Sequence, residues 1–353
     1  MRRLSLAVWV VLSLHAGWCG EAAAQPKTEG DRLYNSALAK QKKGDANGAI
    51  GDFSKAIAFN PKDSDAYLGR GVVRRDQGDL RGAIADSKKA IEISPKDAGA
   101  YVYCAAAQQM NGDLRQAIGN YTKAIALDPK QTEAYYNRGV AWEAKDDLDR
   151  AIADFTSAIA LNGKHSGAYA NRGISWERKG DYARAGADAT KALALDPKNA
   201  KSYINRGTAY AEQQKWGQAY RQFDAGVQVD HRALYAALLR YTAEVHLTPE
   251  AAAKVQLQGA LRQRRPAGTK DWSTQLGERL LGKITEAELV AAAETKDRET
   301  TRGQQCEAWY YAGVARLADG QEKEAKACFH RSVATKHKNF SEYWLARAEL
   351  AQR

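Results

Sequence analysis

A 34-residue beat runs through the first two thirds of this chain. Proline follows it at Pro61, Pro95, Pro129 and Pro197, in the tripeptides NPK, SPK, DPK and DPK, spaced 34, 34 and 68 residues apart, with Gly163 of NGK at the vacant step. Tyr67, Tyr101, Tyr135, Tyr169 and Tyr203 keep the same interval, as do Ala49, Ala83, Ala117, Ala151, Ala185 and Ala219. Columns that stay in step over so many periods identify one structural unit repeated in tandem, and that sets the fold before any local reading.

These columns resemble the tetratricopeptide repeat (TPR) family, whose unit is an antiparallel helix pair of this length. The resemblance implies an all-α superhelical solenoid, with six units at residues 30–63, 64–97, 98–131, 132–165, 166–199 and 200–233. Each column has a physical reason. Ala37, Gly71, Ala105, Gly139, Gly173 and Gly207 are small where the first helix must approach the second closely. The tyrosines fill the wedge between neighbouring hairpins. Gly44-Asp45, Gly78-Asp79, Gly112-Asp113 and Gly180-Asp181 make the tight turn, glycine taking the positive φ. Proline ends the second helix because it cannot donate the next backbone bond. Some positions depart from the pattern. Lys40, Arg74 and Gln108 stand where later units have Trp142, Trp176 and Tyr210, and Ser87 and Ala189 replace an aromatic. The sixth unit lacks the turn glycine (Gln214) and the stop proline (His231). The early units are therefore expected to be looser, and the sixth to merge into the next segment of chain.

Beyond residue 231 the register is lost but helical patterning continues. Leu234, Ala237, Leu238 and Tyr241 share one helical face. Thr248-Pro249-Glu250 reads as a helix start, residues 262–270 as a basic turn, and Thr285 with Glu288 as a capping box. The expected layout is a helical connector at 234–305, then a TPR-like hairpin and closing helix at 306–353, in which Trp309, Gly313, Gly320, Ala325 and Phe329 match the unit's columns. From about Trp272 onward, LLGKITEAEL, CEAWYYAGVARLADGQ and NFSEYWLARAEL resemble the NlpI-like bacterial envelope TPR proteins. That resemblance implies a periplasmic scaffold that brings peptidoglycan hydrolases to a protease and to one another.

The N-terminus reads as a secretory leader. Arg2 and Arg3 precede the apolar run Leu4 to Leu14, and Ala22-Ala23-Ala24 offers small residues for cleavage before Gln25. Eleven apolar residues fall short of the roughly 20 that span a bilayer. Trp18 argues against lipid attachment at Cys19, since that processing wants a small residue there. Loss of residues 1–24 leaves a formal charge of +10 from the +11 of the whole chain. Lysines spread across repeats read as a solvated face and not as a nucleic-acid site. The remaining cysteines, Cys104, Cys306 and Cys328, are odd in number and lack the spacing of a disulfide framework or a zinc site.

Motifs for chemistry are wanting. Gly277 to Lys283 spells the start of a phosphate loop, but Ile284 stands where a magnesium-binding hydroxyl is needed, and the run is helical by pattern. The six histidines form no metal spacing, and no nucleophile motif is present. The chain therefore reads as non-enzymatic, with no cofactor and no metal. A candidate binding ladder stands on the first helices. YYNRG, YANRG and YINRG repeat Asn137, Asn171 and Asn205, each followed by Arg138, Arg172 or Arg206. In some TPR proteins asparagines at this position hold an extended peptide, and a primary amide suits that because it donates and accepts at once. The competing reading has the asparagines capping or bridging hairpins, with arginine stems covering the seam. Tyr136, Val140 and Ile174 add apolar surface that favours an amphipathic helix or an extended hydrophobic segment. The partners expected are proteins or peptides, without stable membrane insertion and with homo-oligomerisation allowed. The function expected is a non-catalytic scaffold in the cell envelope. The rival is a periplasmic chaperone or assembly factor for a secretion, outer-membrane or polysaccharide machine.

Overall fold

The computed structural model describes residues 28–351, apart from 231–233, 248–250, 265–270, 296 and 338–339. The leader, Cys19, His231, the Thr248-Pro249-Glu250 start and most of the basic 262–270 stretch lie outside the described residues. All regular structure among them is helical, in nineteen helices, and the chain divides into two compact units, residues 1–163 and 164–353. The fold is all-α, built of helical hairpins in tandem.

The first unit holds four hairpins: α1 (Glu29–Lys42) with α2 (Ala46–Phe59), α3 (Ser64–Asp76) with α4 (Leu80–Ile93), α5 (Ala98–Met110) with α6 (Leu114–Leu127), and α7 (Thr132–Ala144) with α8 (Leu148–Leu161). Their turns obey the sequence. Gly44, Gly78 and Gly112 sit at φ of +80°, +84° and +89°, and Asp146 takes the same left-handed position at +64° in the fourth hairpin. In three of the four hairpins the aspartate after the turn, Asp45, Asp79 or Asp147, caps the second helix, as when Asp45 accepts from the Gly48 amide at 2.9 Å. The small-residue column shows its purpose at Gly139, where an added Cβ would lie 2.8 Å from the Phe155 ring. Phe53, Tyr121 and Phe155 are the largest side chains of this interior, and all three are fully buried.

The second unit starts with two more hairpins, α9 (Ser166–Arg178) with α10 (Tyr182–Leu195) and α11 (Ala200–Glu212) with α12 (Trp216–Val229). Then come α13 (Leu234–Val245), α14 (Ala251–Arg264), α15 (Trp272–Leu280) and α16 (Glu286–Ala292). A long hairpin, α17 (Arg298–Ala318) with α18 (Glu322–Ala334), and α19 (Ser341–Leu350) finish the chain. One apolar cluster joins Phe223, Leu238, Leu257, Leu276, Tyr310 and Leu345, so the connector and the last hairpin share a core with the sixth repeat. Although Gln214 replaces glycine, it adopts φ of +59° and the sixth turn still forms. α12 ends at Val229, and the sixth hairpin merges with the connector through the core they share. The phosphate-loop-like stretch runs through α15 into a turn at Gly282. Cys104, Cys306 and Cys328 are free and buried.

Candidate functional site

Within the first unit, successive first helices touch one another, α1 on α3, α3 on α5 and α5 on α7, whereas the second helices make no comparable contact. The stack therefore bends toward its first helices, and their solvent side is the inner wall. Tyr136 on this wall packs against Phe155 with ring centroids 5.9 Å apart, and Val140, one turn on, is half-buried. Toward the N-terminal ends of α3 and α5, the Tyr34 and Tyr103 rings gather near Asp63, Asp65 and Asp97. Partial desolvation, helped by Asp63 and Asp97, raises the Asp65 carboxyl above its ordinary value. Burial likewise pushes the Tyr34 and Tyr103 hydroxyls upward, so both stay protonated donors at any physiological pH. The wall is thus aromatic and aliphatic, with an acidic edge.

The arginines singled out in the sequence pair within their own hairpins. Arg138 holds Asp154 through two bonds, Nε to Oδ2 and Nη2 to Oδ1, both 2.8 Å, and its third nitrogen donates to Thr122 Oγ1 at 2.9 Å. Arg172 grips Asp188 in the same way, and Arg206 bonds Gln222. Each guanidinium also lies over the tyrosine three residues earlier, 5.7–5.8 Å from the ring centre. These pairs join the first helix of a hairpin to its second, sixteen residues on. The arginines therefore close the hairpins, and contact of Arg138, Arg172 and Arg206 with a ligand is an expectation separate from that role. The same column includes Ser36 with Asp52 and Arg70 with Asp86. It went unnoticed in the sequence, where Asp52, Asp86, Asp154 and Asp188 stand at a constant offset from the helix-A residue they bind.

The early hairpins are not loosened by the loss of their tryptophans. Lys40 Nζ meets Asp52 at 2.6 Å, Arg74 meets Asp86 at 2.8 Å, and Gln108 accepts from Asn120 at 2.8 Å. A polar group bonded to the second helix thus replaces the aromatic. In the later hairpins Trp142 and Trp176 instead lie under Arg150 and Arg184, 4.6 and 4.3 Å from the ring centres.

The asparagines face inward into the packing. Asn137 and Asn205 are only 3% and 8% exposed, and Asn171 is half-buried. Asn205 Nδ2 has no hydrogen-bond partner. In the second unit, α9 and α11 touch in the same first-helix manner, but this wall is covered: α19 lies on α11 and reaches α9, where Ser341 Oγ donates to Glu177 Oε1 at 3.1 Å. The open trough expected along α9 and α11, with Ile174 and Glu177 on one helix, is therefore occupied by the chain's own C-terminal helix.

Among the described residues no His, Cys, Asp and Glu group could hold a metal ion, and no helix is long and apolar enough to cross a membrane. Family models described as tetratricopeptide repeat match residues 34–98 and 107–164, 166–199, and 189–221, together more than half of the chain. Among solved structures, a tetratricopeptide repeat protein from Parabacteroides merdae is similar at 18% identity, covering 72% of this chain and 98% of its own, with a TM-score of 0.55. PilF of Pseudomonas aeruginosa shows 19% identity over 60% of this chain and 95% of its own, with a TM-score of 0.52. A MamA protein shows 28% identity over 49% and 94%, with a TM-score of 0.44. No curated protein sequence matches the chain.

Proposed function

The chain belongs to the tetratricopeptide repeat family, whose members are generally protein-binding scaffolds, and we propose that it holds client polypeptides on the inner wall of its first four hairpins. The observation that carries this reading is the wall itself, a row of first helices presenting half-buried apolar and aromatic groups such as Val140 and Tyr103 beside Asp63, Asp65 and Asp97. Such a surface suits a segment with an apolar stripe and basic flanks, through area burial and charge complementarity together. Asn137 adds a buried amide at its floor, and Asn171 and Asn205 occupy the same register in the second unit. The role is that of an adaptor without catalysis. The leader-like N-terminus and the likeness of the C-terminal segments to NlpI-like proteins support a place in the bacterial envelope, with hydrolases or a protease as clients. The experiment is substitution of Val140→Glu, with circular dichroism to show retained helicity, followed by capture of envelope proteins through cross-linking in cells. The expected result is loss of captured clients. Undiminished capture from a folded variant would remove the inner wall of the first unit from consideration.

A further inference from the structure

The second unit offers a different kind of surface, already filled. Tyr343 and Trp344 of α19 are buried with Cys306 of α17 and Val333 of α18, Leu345 joins the core shared with α11 and α17, and the Trp344 ring lies beside the turn at Gly180 of α9. Polar bonds tie down the length of the helix. Ser341 donates to Glu177, Tyr311 donates to Glu342 Oε1 at 3.2 Å, Gln214 Nε2 reaches the Ala348 carbonyl at 3.4 Å, and His246 Nε2 lies 2.8 Å from Glu349 Oε1.

We propose that the wall of α9 and α11 is a helix-binding site filled at rest by α19, and that an incoming helix of like chemistry, with adjacent aromatics and a leucine to bury and a carboxyl group near each end, takes the place of α19. This rests on the protein-binding role of the first unit and extends it to the second. The occupant is specified by the segment already seated there.

The seat explains why α19 can leave. Carboxyl groups converge on it from several helices: Glu177 of α9, Glu212 of α11, Glu307 of α17, and Glu342 and Glu349 of α19 itself. The cations facing them are few, Arg178, Lys201 and Arg347, with His246 set against Glu349 and Tyr182 and Tyr235 as neutral neighbours. Glu212 is 9% exposed, and its Oε1 accepts no hydrogen bond. Burial pushes Glu177 up to about 7, with the nearby Glu342 adding to the rise, and burial raises Glu212, Glu307 and Glu342 as well. A helix that served only as a fixed cap gains nothing from a seat crowded with like charge.

These carboxyls give the docking a pH dependence of definite sign. A carboxyl group with a raised pKa in the docked state is neutral there at low pH, so docking is strongest below pH 4.5 and weakens as pH rises through about 7. For Glu177 alone, the opening equilibrium rises by about 25-fold between pH 5.5 and pH 8.

Two measurements decide the matter. Hydrogen exchange on the full chain, comparing amides of α19 with those of Tyr310–Val314 in α17, removes the intrinsic pH effect by taking the ratio. The α19 amides are expected to exchange faster than the α17 amides at pH 8, to close most of that gap at pH 5.5, and to lose the pH dependence in Glu177→Gln. Equal protection of both helices at both pH values would overturn the proposal, and this test requires no truncation. The second measurement titrates a labelled synthetic peptide of residues 340–353 into the chain ending at residue 337 and into the full chain. Saturable binding to the shortened chain, at least tenfold tighter than to the full chain, is expected. No binding to a shortened chain that keeps its helicity would overturn the proposal. Since the probe is the chain's own helix, neither result depends on the capture experiment with Val140→Glu.

Discussion

Replacing Arg138 by Ala separates a structural arginine from a ligand-binding one. The guanidinium makes two bonds to Asp154 and one to Thr122, and it lies over Tyr135. The Asp154 side chain is 8% exposed, so removing its partner leaves a carboxylate almost out of water with no cation. Losing a buried partner costs about 3–5 kcal/mol when desolvation is complete. Arg138 itself keeps 18% exposure, which lowers the expected loss to about 2–4 kcal/mol. Asp154→Ala is expected to cost a similar amount, because it strands the guanidinium instead. The double variant should lose less than the sum, with a coupling of about 1.5–3 kcal/mol. Urea unfolding monitored by circular dichroism measures all four corners of the cycle. An Arg138→Ala variant with unchanged midpoint but impaired client capture would refute the structural assignment and return the arginine column to the binding site.

Three further outcomes are expected. Gly139→Ala should destabilise by about 1–3 kcal/mol, since its Cβ would meet Phe155 at 2.8 Å; Gly119→Ala, with nothing near its new Cβ, should be neutral or stabilise by up to about 1 kcal/mol, and equal melting of the two variants would contradict the packing described. Cys104, Cys306 and Cys328, whose thiols burial pushes up to about 11, should resist alkylation at pH 8 in the native protein and react promptly in urea, so rapid native labelling would show that they are not enclosed. Hydrogen bonds from Lys40 and Ser36 hold the Asp52 carboxyl below its ordinary value. Its contribution should therefore be present above about pH 4 and fade as pH falls further, and Asp52→Asn should flatten that limb of a stability–pH curve; an unchanged limb would show that the pair does not stabilise the first hairpin.

The period in the sequence was enough for the helical hairpins because the forces behind it are local. A glycine that must turn left, an aspartate that caps, and an alanine that lets helices close act within one unit and recur in every unit. What escaped was of two kinds. The pairing of Arg138 with Asp154 is periodic, but both residues read as ordinary surface charge until the hairpin brings them together. The early hairpins looked impoverished beside Trp142 and Trp176, yet Lys40 and Arg74 reach the same second helix with a charge where the tryptophan uses area. The covering of α9 and α11 belongs to neither kind. Ser341 and Glu177 are separated by 164 residues, and nothing in a repeat of 34 encodes a contact at that range. Of the acids of the seat, Glu177 repeats Glu143 one period earlier, but Glu212 falls where other units carry Arg178 and Ala144, so no acidic column marks the seat.

Whether the inner wall holds clients is read out by site-specific photo-cross-linking in living cells. A reactive side chain is placed at Val140, on that wall, and in a second variant at Ala153, exposed on the second helix of the same hairpin. Discrete client adducts are predicted from position 140 and none from position 153. Adducts of equal yield from both positions, or from 153 alone, would contradict binding at the wall.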